Sequence, residues 1–301
     1  MSTERSILLV VGTLTLIPTL AAAQARVEKN VVVGMYSGLA LVMDVHHPEN
    51  PNGYGIVHIS GSGWMRPLAY SAPPLSESQV DLYGKPLVER GYTVFSLNHR
   101  ATPRFRFPAP LEDVQRAVRF IRYHAADYGI DPEHIGAVGG SSGGHLVSML
   151  GVLDGHGDSD DPDPVNRVSG KVQTVVAREA PSDLAQMTTT AGGTNARVML
   201  LMRAAPSQDL QSVESQRYWD ASPINYVSAD DPPILLLHGD ADETVPFEQA
   251  ELMGEALSSA GVATDLIRVP GAGHGPTFRG AVDPPDYIGA MIDWFDRHLK
   301  K

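Results

Sequence analysis

The sequence predicts an α/β fold built on one mostly parallel, doubly wound sheet, with an antiparallel hairpin at its start. Two observations lead to this prediction. Short runs rich in β-branched residues and leucine alternate with segments whose apolar residues recur every three or four positions. The runs also lack a regular apolar–polar alternation, as expected of strands that helices cover on both faces.

The predicted strands begin with the hairpin, in which 31–36 and 39–45 are joined at Ser37-Gly38. The remaining strand-like runs follow in order: 55–60, 92–98, 135–139, 172–177, 233–239 and 264–269. Their lengths are those of ordinary strands. The six later runs therefore account for the parallel part of the sheet.

Helices are predicted over 111–126, 248–260 and 285–299, where apolar residues form one stripe. Gly261 ends the second of them, as glycine commonly does at a helix C-terminus. Two stretches, 154–164 and about 185–220, match neither period and are interpreted as surface insertions. The second could form a small lid or cap over a pocket, or ordinary packing.

The first 25 residues are typical of a secretory signal. Arg5 precedes a short apolar run, and an A-x-A sequence over 23–25 precedes Arg26. The alternative, a membrane anchor, is disfavoured because the run contains Pro18 and is shorter than the roughly 20 residues of a span. The sequence thus predicts a signal peptide over 1–25 and a secreted or periplasmic domain over 26–301, without membrane association after cleavage.

The overall charge restricts the possible partners. The chain has 301 residues, a formal net charge of −12 and no cysteine. Such a negative charge argues against nucleic acid and anionic membranes as partners. Without cysteine no disulfide can form, so the domain must rely on its core.

Two overlapping G-x-S-x-G motifs lie within 139–144, one centred on Ser141 and the other on Ser142. A strand–turn–helix elbow can expose a nucleophilic serine, and it needs small residues two positions before and after that serine. The motifs follow the predicted strand 135–139 and precede the helix-like HLVSML. Because glycine flanks both serines, the residues alone leave the choice of nucleophile open.

Candidates for a base and an acid follow the last two predicted strands. His274 comes after 264–269, and Asp240, Asp242 and Glu243 come after 233–239. The carboxyl ends of parallel strands are where side chains meet ligands in such sheets. Asp183 is a rival acid, and several other histidines are alternatives to His274 as the base: His58, His99, His145 and His238.

Long segments of the chain resemble α/β-hydrolase-fold esterases of the feruloyl/acetyl-esterase and hormone-sensitive-lipase-like group. DPEHIGAVGGSSGGHL is similar to their D-P-x-R-I-x-x-x-G-x-S-A-G-G-H-L, and 92–122 and 221–253 match further family segments. The resemblance implies an α/β-hydrolase catalytic domain over 26–301 that needs no cofactor and no metal. It also implies a triad of Ser141 as nucleophile, Asp242 as acid and His274 as base.

The expected oxyanion loop departs from the family pattern H-G-G-G-W/F, because residues 60–64 read SGSGW. The resemblance implies that the oxyanion is held by the backbone N–H groups of Ser62, Gly63 and Ser142, the last of which replaces the usual alanine. Further substrate contacts are expected just after this loop, from Trp64, Arg66 and Tyr70. Alternatively, Trp64 packs in the core and Arg66 is solvated.

These features predict a secreted serine carboxylic-ester hydrolase for short-chain or carbohydrate-linked acyl esters of the acetyl or feruloyl type. The substrate would be a small-molecule or glycan ester. An aryl-formamidase-like amidase on the same fold is one alternative. A catalytically inactive hydrolase-fold binding protein is another, and the SGSGW loop is the feature that favours it. The acidic stretch 154–164 lacks the ligand spacing of a calcium loop, so no metal is predicted there.

Overall fold

A computed structural model describes residues 26–190 and 195–300. These residues form one eight-stranded sheet in the order β1-β2-β4-β3-β5-β6-β7-β8. The strands are β1 (Arg26–Tyr36), β2 (Leu39–His47), β3 (Gly55–Ile59), β4 (Thr93–Leu97), β5 (Ile135–Gly140), β6 (Thr174–Arg178), β7 (Ile234–Gly239) and β8 (Thr264–Val269). Each predicted strand is present, with bounds that differ by a few residues.

The pairing of the strands confirms the predicted α/β-hydrolase architecture. β1 pairs antiparallel with β2, and β2 pairs antiparallel with β4. All the other neighbouring strands in this sheet are parallel. The chain passes from β3 to β4 on one side and then returns to β5 on the other. The loops after β3 and β5 therefore diverge and open a crevice, the usual ligand position in such sheets.

Helices cover both faces of the sheet and bury its apolar residues. The α-helices are α1 (Val80–Glu89), α2 (Ala109–Tyr123), α3 (Ala125–Tyr128), α4 (Ser142–Val152), α5 (Leu184–Thr190), α6 (Ala196–Met202), α7 (Val213–Asp220), α8 (Glu248–Ser259) and α9 (Tyr287–Leu299). Ile56 of β3 belongs to the core cluster beneath α1 and α9, whereas its neighbour Val57 belongs to the cluster beneath α2, α4 and α8. Successive residues of the strand thus point to opposite layers.

Three parts of the fold differ from the expectations. Helix α1 was not predicted, because Gly84 and Pro86 interrupt its pattern. The stretch 185–220 contains α5, α6 and α7, and its side chains at Val198 and Leu201 are fully buried. Its interpretation as a surface insertion is therefore wrong for those helices. Strand β8 lies at the edge of the sheet and is only partly buried, whereas the sequence pattern predicted a strand covered by helices on both faces.

The predicted signal peptide, residues 1–25, lies outside the described residues and stays a prediction. The same holds for residues 191–194 within the proposed lid. None of the helices in the described ranges combines the length and the apolarity that a membrane span requires.

Candidate active site

Ser141 lies at a sharp turn between β5 and α4. Its backbone has φ 54° and ψ −123°, and its N–H donates to the Arg178 carbonyl at 2.8 Å. The strand and helix approach so closely that a Cβ on Gly143 would overlap the Ile59 carbonyl, and one on Gly139 would overlap Gly143 itself. The glycines of the motif therefore allow the turn that exposes the Ser141 hydroxyl.

Three side chains from separate loops form one hydrogen-bonded chain. The Ser141 hydroxyl lies 2.9 Å from His274 Nε2, and His274 Nδ1 lies 2.6 Å from Asp242 Oδ2. His274 follows β8, and Asp242 follows β7. A neutral imidazole that donates from Nδ1 to a carboxylate leaves Nε2 free to accept the serine proton. The arrangement can therefore activate Ser141 as a nucleophile.

Asp242 is buried and held as an anion. Its Oδ1 accepts the N–H groups of Thr244 at 2.8 Å and Val245 at 2.9 Å. Burial alone would raise the pKa of this carboxyl, but its contacts with His238 and His274 outweigh burial and hold the pKa well below the ordinary value. The charged form of Asp242 is thus available to orient His274 across the range in which proteins are usually active.

Asp240, a second acid in the same loop, has a structural partner instead. It accepts hydrogen bonds from Arg268 Nε at 2.8 Å and from the Gly271 N–H at 2.6 Å. The hydrogen bond from Arg268 is the main reason that the pKa of Asp240 is lowered. Asp240 therefore fastens the turn after β8 to the loop that carries Asp242.

Glu179 is a second carboxylate beside His274 that the sequence reasoning missed. It is buried, its carboxylate accepts the Gly275 N–H at 3.1 Å, and its Oε2 lies 3.8 Å from His274 Nδ1. Burial raises its pKa. Its position directly after β6, at the carboxyl edge of the sheet, is the sequence signal that could have identified it.

Glu179, Asp242 and His274 each offer one ligand atom, and these atoms lie within 4.8 Å of one another. This spacing would also suit a metal ion. The same atoms are engaged with each other and with backbone N–H groups, and His274 Nδ1 already donates to Asp242. We therefore interpret the cluster as a proton-transfer arrangement.

The loop after β3 lies against the serine turn, but one of its predicted donors is occupied. The Ser62 N–H donates to the Ser142 hydroxyl at 2.9 Å, so it does not point freely into the site. The N–H groups of Gly63 and Ser142 have no acceptor among the described residues. Two of the three predicted donors are therefore without an acceptor in the part of the chain that the structure describes. Ser60, at the position of the histidine in the family pattern that the sequence resembles, donates its hydroxyl to the Leu75 carbonyl at 2.9 Å.

Trp64 is a core residue and does not line the cavity at Ser141. Only 3% of it is exposed, and its Nε1–H donates to His145 Nδ1 at 3.2 Å. His145 lies on α4, three residues after Ser142, and its Nε2–H donates to the Ala221 carbonyl at 2.7 Å. Trp64 thus connects the loop after β3 to the helix that follows Ser141. Of the two alternatives for Trp64, substrate contact and core packing, the structure shows core packing.

The cavity at Ser141 has a volume of about 280 Å³ and a lining that is partly polar and partly apolar. Beside Ser141, His274 and the loop 61–63, its walls include polar side chains that the sequence reasoning did not select: Gln79, Arg178, Glu179 and Arg197. Arg66 and Tyr70 line a separate cavity of about 480 Å³. The structure therefore does not bring Arg66 and Tyr70 into the cavity at Ser141, and their predicted substrate contacts stay a prediction.

Arg178 forms one wall of the cavity and supports the His274 loop. Its side chain is fully buried, with the guanidinium 4.2 Å from the centre of the Tyr83 ring and 4.6 Å from that of Phe278. It donates to the Gly275 and Pro276 carbonyls at 3.4 and 3.3 Å. Cation–π contacts of this kind are stronger in a desolvated site than in water. Arg178 thus fixes the backbone next to His274.

The rival histidines have structural hydrogen bonds. His58 lies 2.9 Å from the Ser96 hydroxyl inside the core, and His238 Nε2 donates to the Val245 carbonyl at 2.9 Å. His99 Nδ1 lies 2.9 Å from the neighbouring Arg100 carbonyl. None of these contacts involves Ser141.

The sequence matches a known family over most of its length. The family model described as BD-FAE matches residues 43–257. Esterase LipQ of Mycobacterium tuberculosis is 30% identical over 224 residues, which are 73% of this chain and 49% of LipQ. The probable carboxylic ester hydrolase LipM of the same organism is 32% identical over 167 residues, 54% of this chain and 37% of LipM. The chain thus spans half or less of the length of these curated relatives.

Two solved structures resemble the chain over nearly its whole length. A truncated carbohydrate esterase from gut microbiota is 31% identical with a TM-score of 0.75, covering 93% of this chain and 98% of that one. An acetyl ester-xyloside bifunctional hydrolase from Caldicellulosiruptor lactoaceticus is 25% identical with a TM-score of 0.72 and the same coverage. The chain therefore shares its fold and nearly its whole length with both structures.

Proposed function

Since the chain belongs to the BD-FAE family, we propose that it is a serine carboxylic-ester hydrolase acting on short-chain or carbohydrate-linked acyl esters. The observation that carries the proposal is the hydrogen-bonded chain from Ser141 through His274 to Asp242, with distances of 2.9 and 2.6 Å. The names of the curated relatives and of the two solved structures support ester hydrolysis.

In the first half of the proposed reaction, His274 Nε2 takes the proton of Ser141 as Oγ attacks the ester carbonyl carbon. The oxyanion that forms is held by the free N–H groups of Gly63 and Ser142, and each such donor contributes about 3 kcal/mol to the transition state. The carbon–oxygen bond of the alcohol then breaks. His274 donates its proton to the departing alkoxide, and the acyl group stays on Ser141.

In the second half, water replaces the alcohol in the cavity. His274 Nε2 takes a proton from the water as its oxygen attacks the acyl carbon, and the same two N–H groups hold the second oxyanion. The bond to Ser141 Oγ breaks, His274 returns the proton to that oxygen, and the acid leaves. Asp242 stays ionised throughout and stabilises the imidazolium that forms in each half.

The cavity supports a short acyl group and a polar alcohol. Its volume of about 280 Å³ is close to the lower end of ordinary ligand sites, and its walls carry the polar side chains of Gln79 and Arg197. A long alkyl chain would bury its apolar surface against these polar groups without compensation. A sugar hydroxyl could instead exchange hydrogen bonds with them. We therefore favour an acetylated glycan over a lipid ester.

The test is the hydrolysis of p-nitrophenyl esters together with acetate release from acetylated xylan. We expect turnover of p-nitrophenyl acetate to exceed that of the octanoate by about tenfold or more. A tenfold ratio corresponds to about 1.4 kcal/mol, which is within the few kcal/mol by which the contacts of such a pocket discriminate between substrates. Labelling by a fluorophosphonate should require Ser141. A protein that is not labelled and turns over no ester would contradict the proposal and favour a binding role on the same fold.

Export from the cell is a further part of the proposal. It is supported by the charged start, the apolar run and the A-x-A sequence ending at Ala25. N-terminal sequencing of the protein recovered from the periplasm or medium should begin at Arg26. Recovery of the uncleaved chain from the cytoplasm would contradict export and leave the hydrolase proposal untouched.

A further inference from the structure

Exposed arginines cluster beside the active site, on the face that carries the loops after β3 and β4. They line two adjoining cavities of about 480 and 380 Å³, which share Arg100, Arg104 and Phe105. We call this the arginine surface and define it by its exposed or partly exposed members: Arg66, Arg104, Arg106, Arg203, Tyr70 and Phe105.

The charge of this surface is only partly offset by nearby carboxylates, of which Glu112 lines the same cavity. Arg100, beneath it, is paired with Asp113 at 2.7 Å and Glu112 at 2.8 Å. The four arginines of the surface form no ion pair with a carboxylate among residues 26–190 and 195–300. The whole chain has a formal net charge of −12. A group of unpaired cations in such an acidic protein produces a local potential opposite to the overall one.

The arginine surface is close to Ser141 along the carboxyl edge of the sheet. Gly63 lines the cavity at Ser141, and Arg66 lines the neighbouring one. Three peptide units separate these residues, so their Cα atoms are at most about 11 Å apart. Arg203, at the end of α6, donates to the Pro103 and Arg104 carbonyls at 3.3 and 3.5 Å. It thus fastens α6 to the loop after β4.

The surface also exposes apolar groups between the charges. Tyr70 is completely exposed, and Leu68 beside it is 73% exposed. The Arg104 guanidinium lies 5.3 Å from the centre of the Phe105 ring. Adjacent apolar and unpaired cationic groups at an open cavity indicate a ligand that offers both apolar faces and negative charge.

We propose that the arginine surface binds the carboxylates of an acidic glycan, a polymer of sugars that includes uronic acids, whose ester group is then presented to Ser141. The planar guanidinium groups suit carboxylates because one guanidinium can donate two parallel N–H bonds to the two oxygens of one carboxylate. Sugar rings supply C–H faces for Tyr70. This inference rests on the proposed function, since it names the substrate class of the same site.

The test measures binding in the Ser141→Ala background, so that no ester is cleaved during the measurement. Isothermal titration with polygalacturonate, which carries a carboxylate on each sugar, is compared with a neutral glycan such as arabinan. Arg104→Gln/Arg106→Gln removes two charges from the surface, and Arg104→Lys/Arg106→Lys retains them. The matched control is Lys85→Gln/Arg297→Gln, which removes two exposed charges from α1 and α9. Thermal unfolding verifies that each variant is folded.

We expect polygalacturonate to bind and arabinan to bind far more weakly. The Gln variant should raise the Kd about fivefold, the sum of two modest exposed ion pairs. The Lys variant should recover only part of that loss, because an ammonium keeps the charge but cannot make two parallel bonds to a carboxylate, and the Lys85/Arg297 control should bind as the parent does. Binding should weaken between 50 and 200 mM NaCl, because salt screens exposed charges.

An unchanged Kd in the folded Gln variant would overturn the proposal. The proposal would also be overturned if a single-stranded oligonucleotide bound as tightly as polygalacturonate, or more tightly, and the Gln variant abolished that binding. The surface would then recognise phosphates. Failure of the proposed function is a separate result, seen when the unmodified protein turns over no ester. The Kd comparison decides the binding surface in either case, because it does not depend on turnover.

Discussion

Replacing each of the two adjacent serines by alanine should have effects on turnover that differ by about three orders of magnitude. Ser141 Oγ lies 2.9 Å from His274 Nε2, so Ser141→Ala removes the atom that attacks the ester. Loss of the nucleophile in serine hydrolases lowers kcat by about 10⁴-fold or more, and the residual rate comes from the remaining site. Ser142 Oγ instead accepts the Ser62 N–H at 2.9 Å.

The magnitude for Ser142→Ala follows from that single hydrogen bond. A neutral intramolecular hydrogen bond contributes about 1 kcal/mol, and the Ser62 N–H is near the open cavity, where water can replace the lost acceptor. Even if the whole amount acted on the transition state, kcat/KM would change by about fivefold. The backbone N–H of residue 142, the proposed oxyanion donor, is retained in the alanine variant.

The assay is the initial rate of p-nitrophenyl acetate hydrolysis by the unmodified protein and both variants, each at the same total protein concentration. Circular dichroism and the unfolding midpoint show whether each variant is folded. An inactive, folded Ser142→Ala variant beside an active Ser141→Ala variant would refute the reasoning. In that case the attacking oxygen would be Ser142 Oγ, and the next free N–H would be that of Gly143.

The remaining predictions concern the two carboxylates beside His274 and the buried histidines. Asp242→Asn should lower kcat about 10⁴-fold because an amide favours the wrong imidazole tautomer. Glu179→Gln keeps an acceptor for the Gly275 N–H and should lower kcat by less than about tenfold. Equal losses of kcat in the two variants would contradict these separate roles. Burial lowers the pKa of His58 to about 3 and that of His145 to about 4, from an ordinary 6.5. The unfolded chain therefore takes up protons below pH 6.5 that the folded chain does not bind, so stability decreases as the pH falls through that range. Between pH 7 and pH 5 each histidine should reduce the free energy of unfolding by about 2 kcal/mol. Urea unfolding at the two pH values measures this loss, and an unchanged midpoint would contradict it.

Local sequence patterns were sufficient to predict most of the sheet and the residues around Ser141. The buried strands consist of continuous apolar runs, and the glycines around Ser141 are required by a close backbone approach that no other residue allows. Both features are local, so the sequence displays them directly. Helix α1 was missed because its pattern contains Gly84 and Pro86, and its place in the fold comes from packing against β4, β3 and α9.

Contacts between distant segments could not be predicted in the same way. The bond from the Ser62 N–H to the Ser142 hydroxyl joins residues 80 positions apart, and it removes one expected oxyanion donor. Trp64 was expected near the substrate, but its indole N–H donates to His145 on α4. Glu179 follows a buried strand without any motif of its own. In each case the decisive partner lies on another element, and only the folded chain shows it.

The backbone of Ser141 has a consequence for attempts to make this protein more heat-resistant. A φ of 54° with a ψ of −123° is a conformation that glycine adopts readily and serine does not. Holding a non-glycine residue there costs about 1–3 kcal/mol, which the packing around the turn must offset. Ser141→Gly should therefore raise the melting temperature while removing the attacking oxygen. Selection for thermal resistance alone would reward inactive chains, and a useful selection must also require turnover.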